Sequence, residues 1–362
     1  MTTEPVATDE STYDGPIIEV SDLHVTFEGK GARRSSASAR AVDGVDLEIH
    51  PGEIVALVGE SGCGKTTLAR TLLGLELPAS GQVRFRGDPL PRSTKALRKY
   101  RRNVQIVFQD PTGALNPRQT IYESVAEGLR IHKVEGNEKD LVAGALARSG
   151  LRPPERFFQR YPHEVSGGQR QRVVIAGAIA LDPWLIVADE PVASLDASVR
   201  GEILRLMLGL VQETEVAMLV VTHDLGLAWN IADRIAVMYL GRIVEIGTTE
   251  EVLDDPKHPY TRALLSVVPE IERMTPEILR GEPPDPTRIP EGCRFHPRCP
   301  VVASGRAAEL GILELCENVD PKRVYVRTGH SAACHAAELS ELPAGFSALP
   351  PPSGGDPTPT AG

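Results

Sequence analysis

The stretch EIVALVGESGCGKTTLARTLLGL, residues 53–75, decides the fold of this chain. It begins with a short apolar run typical of a buried strand and ends with the apolar spacing of a helix. Between them, GESGCGKT at 59–66 matches the pattern G-x-x-x-x-G-K-[ST]. A loop of this kind binds phosphate through backbone N–H groups and the start of the helix. A glycine-rich turn without a ligand is the alternative, and the flanking strand and helix argue against it.

The loop predicts a nucleotide site. Lys65 is expected to reach the β and γ phosphates, and the Thr66 hydroxyl to bind Mg²⁺. The residues of the loop predicted to bind the nucleotide are Gly59, Ser61, Gly62, Cys63, Gly64, Lys65, Thr66 and Thr67.

Short apolar runs alternate with helical patterns over much of the chain. From residue 54 onward the runs IVALV, WLIVADE, AMLVVTH and RIAVMYL are each followed by a turn or a helix. This alternation is typical of a mostly parallel sheet with helices on its faces. The stretch from Leu90 to Gly168 is helical and charged, which predicts a helical lobe inserted into the sheet domain.

Two carboxylates end one of these runs. In LIVADE, Asp189 and Glu190 follow four apolar residues, so we expect them at the edge of the sheet where α/β proteins bind ligands. Asp189 is predicted to bind Mg²⁺, and Glu190 to accept a proton from an attacking water. Paired acids at a strand end are as often a solvated turn, but the phosphate loop upstream favours a site.

Composition and charge exclude several classes of protein. The 362 residues are 41% hydrophobic, enough for a large core, and carry a formal net charge of -10. That sign disfavours nucleic acid as a partner, and the basic run KALRKYRR at 95–102 has the spacing of a solvated helix face. Because we find neither a long apolar run nor a signal-peptide pattern, we expect a cytosolic chain.

The composition also predicts how the chain is divided. Residues 1–16 and the Pro- and Gly-rich tail at 339–362 are predicted to be disordered. The polar stretch 29–40 is predicted to be a loop. Residues 17–254 are expected to form the nucleotide-binding domain, and residues 255–338 a small second domain.

Three later motifs complete a resemblance to a known family. VSGGQRQRV at 165–173, VADEPVASLD at 187–196 and LVVTHDLG at 219–226 follow the phosphate loop in the order found in ATP-binding-cassette (ABC) ATPases. Only Val165 departs from the pattern, since leucine is commonest there, and it keeps an apolar side chain. The resemblance implies an α/β fold of the P-loop NTPase (RecA-like) type, with an inserted helical lobe and an antiparallel β lobe. A small irregular Cys-rich C-terminal domain would follow.

The resemblance also implies roles for single residues. Gln109, in VFQDP, would sense the γ-phosphate, His223 would contact it, and Asp196 would face a second ATPase. Phe27 would stack on adenine. With Glu190 as the general base, the implied catalytic residues are Glu190, His223 and Gln109. The implied Mg²⁺ ligands are Thr66, Gln109 and Asp189. The alternatives are a surface glutamine, a strand-end histidine and a core phenylalanine.

A second glycine-rich turn lies far along the chain from the phosphate loop. In this family such a turn binds the γ-phosphate of ATP held by a second subunit, and the following helix points its positive end at that anion. The resemblance therefore implies a dimer with two ATP molecules between its subunits. A simple serine N-cap is the alternative, and it explains the serine but not both glycines. The residues implied at this contact are Ser166, Gly167, Gly168 and Gln169.

The motifs HPYTRALLSVVP at 258–269 and GCRFHPRCP at 292–300 resemble the C-terminal extension of ATPases from the dipeptide, oligopeptide and nickel importer group. This implies ATP-driven peptide uptake by a peripheral subunit on the cytoplasmic side of the cell membrane. The implied partners are two permease subunits, an extracytoplasmic peptide-binding protein and a second ATPase, as a heterodimer. The segment QDPTGALNPRQTI at 109–121 would touch the permease.

Two other functions fit the sequence less well. A soluble cassette ATPase acting on DNA or ribosomes usually carries a long coiled-coil insertion or two cassettes, and we find neither. A regulatory, inactive nucleotide-binding module would carry a damaged Asp-Glu or histidine motif, whereas both are intact in this sequence.

Four cysteines are grouped late in the chain without a C-x-x-C pair, which weakens the case for zinc. Four thiolates suit an iron–sulfur cluster, and the resemblance implies a [4Fe–4S] cluster, since members of the group with four such cysteines can hold one. The implied ligands are Cys293, Cys299, Cys316 and Cys334. Zn²⁺, with His296, His330 or His335 as substitute ligands, is the alternative. Disulfides or four unrelated thiols are the others.

Overall fold

The structure, a computed structural model, describes residues 13–28, 38–268 and 278–339. The predicted disordered segments 1–16 and 339–362 and the predicted loop 29–40 therefore lie largely outside the described residues. None of the helices in the described ranges is both long enough and apolar enough to cross a membrane.

Strands and helices alternate along much of the described chain. The strands are β1 Ile18–Glu28, β2 Ser38–Ile49, β3 Ile54–Val58, β4 Ser80–Phe85, β5 Asp88–Pro89, β6 Val104–Val107, β7 Leu185–Asp189, β8 Ala217–Thr222, β9 Arg234–Tyr239, β10 Arg242–Thr248, β11 Val324–Arg327 and β12 His330–Ala332. The helices are α1 Lys65–Leu72, α2 Thr94–Asn103, α3 Pro111–Ala114, α4 Ile121–His132, α5 Glu138–Arg148, α6 Gly167–Ile179, α7 Ala197–Thr214, α8 Leu225–Ile231, α9 Thr249–Asp254, α10 Pro259–Ser266, α11 Pro300–Ala303, α12 Arg306–Glu309, α13 Leu313–Asn318 and α14 His335–Glu338.

The central sheet of the described chain has eight strands in the order β11-β12-β10-β9-β3-β8-β7-β6. The strands from β9 to β6 run parallel, whereas β10, β12 and β11 pair antiparallel at one edge. Every residue of β3 is buried. A strand covered on both faces has no polar side to show, which explains its uninterrupted apolar run. The prediction of an α/β fold with a mostly parallel sheet is confirmed.

A smaller antiparallel sheet, in the order β2-β1-β4-β5, forms the β lobe. Its apolar residues, such as Ile18 and Val42, share one hydrophobic cluster with Leu57 of the central sheet and Leu68 of α1. The β lobe therefore packs on the face of the sheet that also carries α1, next to the phosphate loop.

The helical lobe consists mainly of α4, α5 and α6. Their apolar residues, among them Leu129, Leu146 and Val173, form one cluster with Val220 of the central sheet. The predicted lobe, 90–168, needs one correction, because β6 lies inside this range and is an edge strand of the central sheet. Its four residues VQIV are too few to separate a strand from a helix by periodicity.

The C-terminal segment, residues 278–339, completes the antiparallel edge. β12 pairs with β10, and β11 pairs with β12. Its apolar residues share a cluster with Val58 of β3 and Tyr239 of β9. The residues that we predicted to form a separate small domain therefore pack into the core of the central sheet.

We expect a fall in pH to destabilise the junction between the C-terminal segment and the central sheet. Burial lowers the pKa of His258, which lies at this junction, to about 4. The ring lies at the N-cap of α10, where Nδ1 accepts the N–H of Tyr260 at 3.0 Å. Unfolded histidine binds a proton near its ordinary pKa of about 6.5. Below that pH the unfolded state binds more protons than the folded state, and the free energy of unfolding should fall by about 2 kcal/mol between pH 7.5 and pH 5.

The measurement is chemical denaturation of the wild type and His258→Asn at both pH values. Asparagine can accept the same N–H but does not titrate. The His258→Asn protein should therefore lose less stability at pH 5 than the wild type. Equal losses in the two proteins would contradict the prediction.

Candidate functional site

The phosphate loop joins β3 to α1 through two glycines that no other residue can replace. Gly59 has a φ of 154° and Gly64, the N-cap of α1, a φ of 111°. A Cβ at Gly59 would lie 2.2 Å from the carbonyl oxygen of Met238, and one at Gly64 would lie 2.0 Å from that of Ala41. These positions need glycine for its backbone conformation and for space.

The side chain of Lys65 is held inside this loop. Its Nζ donates to the carbonyl oxygens of Gly59 at 2.7 Å and Glu60 at 2.9 Å, and the residue is only 7% exposed. The first N–H groups of α1 have no partner within the helix. The ammonium and these N–H groups together form a site suited to phosphate.

Asp189 ends β7, at the same edge of the parallel sheet. Burial raises the pKa of its carboxyl and Glu190 raises it further, while the charges of Lys65 and Arg70 act in the opposite direction. The carboxylate lies near the helix that follows the phosphate loop, because Asp189 lines one cavity with Ala69 and Arg70 of α1. Asp189 and the hydroxyl of Thr66, which is exposed on the first turn of α1, are oxygen donors of the type that Mg²⁺ prefers.

Glu190 and His223 are in direct contact. Oε1 of Glu190 accepts the backbone N–H of His223 at 3.1 Å and lies 2.6 Å from its ring Nδ1. Glu190 has a φ of 47°, uncommon outside glycine, and its N–H donates to the carbonyl oxygen of Val221 at 2.8 Å. Val221 of β8 therefore holds the backbone of Glu190, and His223, directly after β8, holds its carboxylate.

Sequence reasoning missed Thr222, the buried last residue of β8. Its hydroxyl donates to Oε2 of Glu190 at 3.3 Å and accepts the N–H of Asp224 at 3.1 Å. The signal was its position directly before His223, where a polar residue ends an apolar strand.

Gln109 and Phe27 are both on the surface. Gln109 follows β6, and its carbonyl oxygen lies 3.5 Å from the donating hydroxyl of Ser194, in the loop after Glu190. Phe27 lies on β1 and is 42% exposed, so it is not a core residue. Their roles toward the γ-phosphate and adenine remain predictions.

The second glycine-rich turn begins α6. Ser166 is exposed and caps the helix, because its hydroxyl accepts the N–H of Gln169 while the Gln169 side chain accepts the N–H of Ser166. A Cβ at Gly168 would lie 2.5 Å from Cγ1 of Val199 on α7, whereas at Gly167 the nearest atom is 3.9 Å away. Packing within the chain explains Gly168 but leaves Gly167 unexplained.

The four late cysteines are all buried and belong to one hydrophobic cluster. Cys293 donates its N–H to the carbonyl oxygen of Cys316 at 2.9 Å. Burial, with smaller contributions from Cys299 and Cys316, raises the pKa of the Cys293 thiol to about 12. Within the described ranges, no group of three or more His, Cys, Asp or Glu side chains is arranged to hold a metal ion. The donor set fits a metal cluster by composition and location, but its side chains do not form a coordination site as placed.

A parallel sheet with a buried lysine in its phosphate loop and a held carboxylate at the same edge is built to hydrolyse a nucleoside triphosphate. The β lobe and the helical lobe, with α6 starting at a Ser-Gly-Gly turn, define an ABC ATPase. Residues 42–193 match the ABC transporter family, and residues 244–305 match the C-terminal region of oligopeptide/dipeptide transporters. The oligopeptide transport ATP-binding protein AppF of Bacillus subtilis is 42% identical over 88% of this chain and 97% of its own length. The chain belongs to the family of ATP-binding proteins of ABC peptide transporters.

Other relatives agree. The di/tripeptide transport ATP-binding protein DppF of Pseudomonas aeruginosa is 41% identical over 89% of this chain and 98% of its own. Among solved structures, cbiO1 of Clostridium perfringens has a TM-score of 0.59 at 29% identity and covers 67% of this chain and 92% of its own. A dimer of the ATP-binding cassette MJ0796 with ADP and Pi has a TM-score of 0.57 at 30% identity, over 64% of this chain and 98% of its own.

Proposed function

We propose that this ATPase powers an importer of di- and oligopeptides, coupling ATP binding and hydrolysis to uptake across the cytoplasmic membrane. One observation carries the proposal. The central sheet that carries the candidate ATPase site shares one hydrophobic cluster with a C-terminal segment that matches oligopeptide/dipeptide transporters. The relatives that match this chain over nearly their whole length are named as peptide transport proteins.

The chemistry requires few residues of this chain. Lys65 and the N–H groups at the start of α1 bind the phosphates, and Asp189 with Thr66 holds Mg²⁺, which neutralises charge on the phosphates when bound. Glu190 takes the proton of the attacking water. His223 is in contact with Glu190, and we propose that it contacts the γ-phosphate, as the family resemblance implies.

The subunit works as part of a dimer, and two surface positions support this. Ser166 at the start of α6 and Asp196 at the start of α7 are both exposed. A helix start that faces outward can bind an anion held by another molecule, and the similar cassette MJ0796 was solved as a dimer. We propose that ATP is bound between Lys65 of one subunit and Ser166 of the next. From the family resemblance, we propose that the second subunit is a related ATPase, so that the two form a heterodimer.

The surface for the permease is proposed next to Asp189. A cavity of about 260 Å³ opens there between α1 and the end of β6. The exposed apolar residues Leu75 and Phe108 line it. Apolar side chains beside a cavity are typical of a docking surface. We propose two permease subunits and an extracytoplasmic peptide-binding protein as partners, with this chain on the cytoplasmic side of the membrane.

The test is peptide uptake in the source cell. Deleting the gene should abolish uptake of a labelled di- or oligopeptide that enters only through this transporter, and the wild-type gene should restore it. Unchanged uptake of every tested peptide, together with copurification with ribosomes or DNA instead of membrane permeases, would support the alternative of a soluble cassette ATPase.

We further propose that the four late cysteines hold a [4Fe–4S] cluster with a structural role. The support is the set of donors. Four buried thiols lie in one hydrophobic cluster of the core, without a C-x-x-C pair. Binding requires their side chains to turn toward a common centre. Zn²⁺ is the alternative, with a histidine such as His335 as substitute ligand.

Protein purified without oxygen should be brown, with broad absorption near about 400 nm. Replacing Cys316 by serine should remove most of the colour, whereas Cys63→Ser, in the phosphate loop, should leave it unchanged. Colourless, iron-free protein would exclude the cluster, and zinc in that protein would support the alternative.

A further inference from the structure

The cysteine turn, residues 293–299, reaches the phosphate loop through an ion pair. Arg298 donates from Nη1 to Oε2 of Glu60 at 2.7 Å and from Nη2 to Oε1 at 3.0 Å. The side chain of Arg298 is 5% exposed and that of Glu60 28%. Such a two-pronged contact fixes the orientation of the carboxylate as well as its distance. Glu60 is the second residue of the phosphate loop, so the C-terminal segment contacts the ATP site directly.

All three polar parts of Glu60 are engaged. Its carboxylate is held by Arg298, and its backbone N–H donates to the hydroxyl of Tyr260 at 2.8 Å. Its carbonyl oxygen accepts the ammonium of Lys65 at 2.9 Å. Two of these partners come from the residues after β10, and the third is the lysine predicted to bind the phosphates. The position of Lys65 therefore depends on Glu60, and that of Glu60 on the C-terminal segment.

The cysteine turn has a second anchor that makes it a fixed support. Arg294 pairs with the buried carboxylate of Asp43 on β2 and donates to the carbonyl oxygen of Leu240 at 2.7 Å. Burial raises the pKa of Asp43, but Arg294 together with His24 and Arg242 outweighs this and holds the pKa below its ordinary value. The two arginines of the turn thus bind the β lobe on one side and the phosphate loop on the other.

Aromatic side chains also pack where the cysteine turn meets the central sheet. The rings of Tyr239, Tyr260 and Phe295 have centroids 4.7 to 5.4 Å apart, and all three residues are almost fully buried. Tyr239 belongs to the central sheet, Tyr260 to α10 and Phe295 to the cysteine turn. Packed aromatic side chains move little, so the Tyr260 hydroxyl, which accepts the N–H of Glu60, and the adjoining Arg298, which donates to its carboxylate, hold Glu60 at a defined place.

We propose that Arg298 and Tyr260 are positioning residues of the ATP site: through Glu60 they hold the phosphate loop and Lys65 in the geometry that binds ATP. The C-terminal segment then contributes to nucleotide affinity. An ion pair that only attached the segment to the rest of the chain would affect stability and leave affinity unchanged in the folded protein.

The test uses the full chain and a fluorescent ATP analogue with Mg²⁺. Arg298→Gln leaves the Glu60 carboxylate without its charged partner, and we expect the Kd of the analogue to rise about tenfold. Arg298→Lys keeps the charge but loses the two-pronged contact, so its Kd should lie between those of Arg298→Gln and the wild type. The matched control is Arg306→Gln, which breaks the exposed pair with Glu309 in the same segment and should leave the Kd unchanged.

The double variant Glu60→Gln with Arg298→Gln tests whether the effect passes through Glu60. If it does, the Kd of the double variant should be no higher than the higher of the two Kd values measured for Glu60→Gln and Arg298→Gln alone. Additive losses, or a wild-type Kd in folded Arg298→Gln, would overturn the proposal.

Tyr260→Phe provides an independent test should Arg298→Gln fail to fold. It removes only the hydroxyl and keeps the aromatic packing, and its Kd should rise by a few fold. A folded Tyr260→Phe protein with wild-type affinity would overturn the proposal. Peptide uptake is not measured in any of these experiments, so their outcome is separate from that of the transport proposal.

Discussion

Glu190→Gln should lower ATP hydrolysis by about 10³-fold while ATP still binds. Glutamine keeps the shape of the side chain and can accept the N–H of His223, so the loop after β7 should keep its conformation. It cannot take a proton from water, and the step that Glu190 performs is lost. Because we propose that ATP is bound between two subunits, we expect this variant to accumulate as an ATP-bound dimer.

The measurements are phosphate release and size-exclusion chromatography with ATP and Mg²⁺. Glu202→Gln is the matched control, since Glu202 lies on α7 with its side chain 56% exposed and pairs with Arg172, and it should hydrolyse ATP like the wild type. Wild-type turnover in Glu190→Gln would show that another group is the base. A monomer at saturating ATP would argue against the shared site.

Gly64→Ala should nearly abolish activity, lowering kcat/KM for ATP by about 100-fold. A methyl group at this position would lie 2.0 Å from the carbonyl oxygen of Ala41, so either β2 or the phosphate loop must move. The backbone conformation at Gly64, with φ 111°, adds strain for any other residue. Both effects fall on the residue that precedes Lys65, and we expect a loss of about 2–4 kcal/mol in the free energy of unfolding.

Gly62→Ala separates the two causes. Gly62 also has a positive φ, 79°, but no atom lies within 4 Å of its added Cβ. We expect only the backbone cost there, about 1 kcal/mol, and substantial remaining activity. Steady-state ATPase assays and chemical denaturation of both variants check this. Equal losses would mean that space around Gly64 is not the deciding factor.

Short motifs of the sequence predicted the local structures around the candidate nucleotide site, because each motif is one local structure. The phosphate loop lies between a strand and a helix, as expected, and Asp189 ends a buried strand. The contact between Glu190 and His223 was not predicted. Their strands are neighbours in the sheet, and a sequence read alone does not show which strand ends meet.

Residue patterns alone predict the class of the fold, the phosphate loop and the acids at the sheet edge, since apolar periodicity and glycine positions act over a few neighbouring residues. Only the tertiary structure decided where the C-terminal segment goes. It joins the central sheet, and Arg298 meets Glu60 across 238 residues of chain. A buried arginine must find its carboxylate in three dimensions, because leaving its charge unpaired in the core costs too much free energy, and chain order carries no record of that partner.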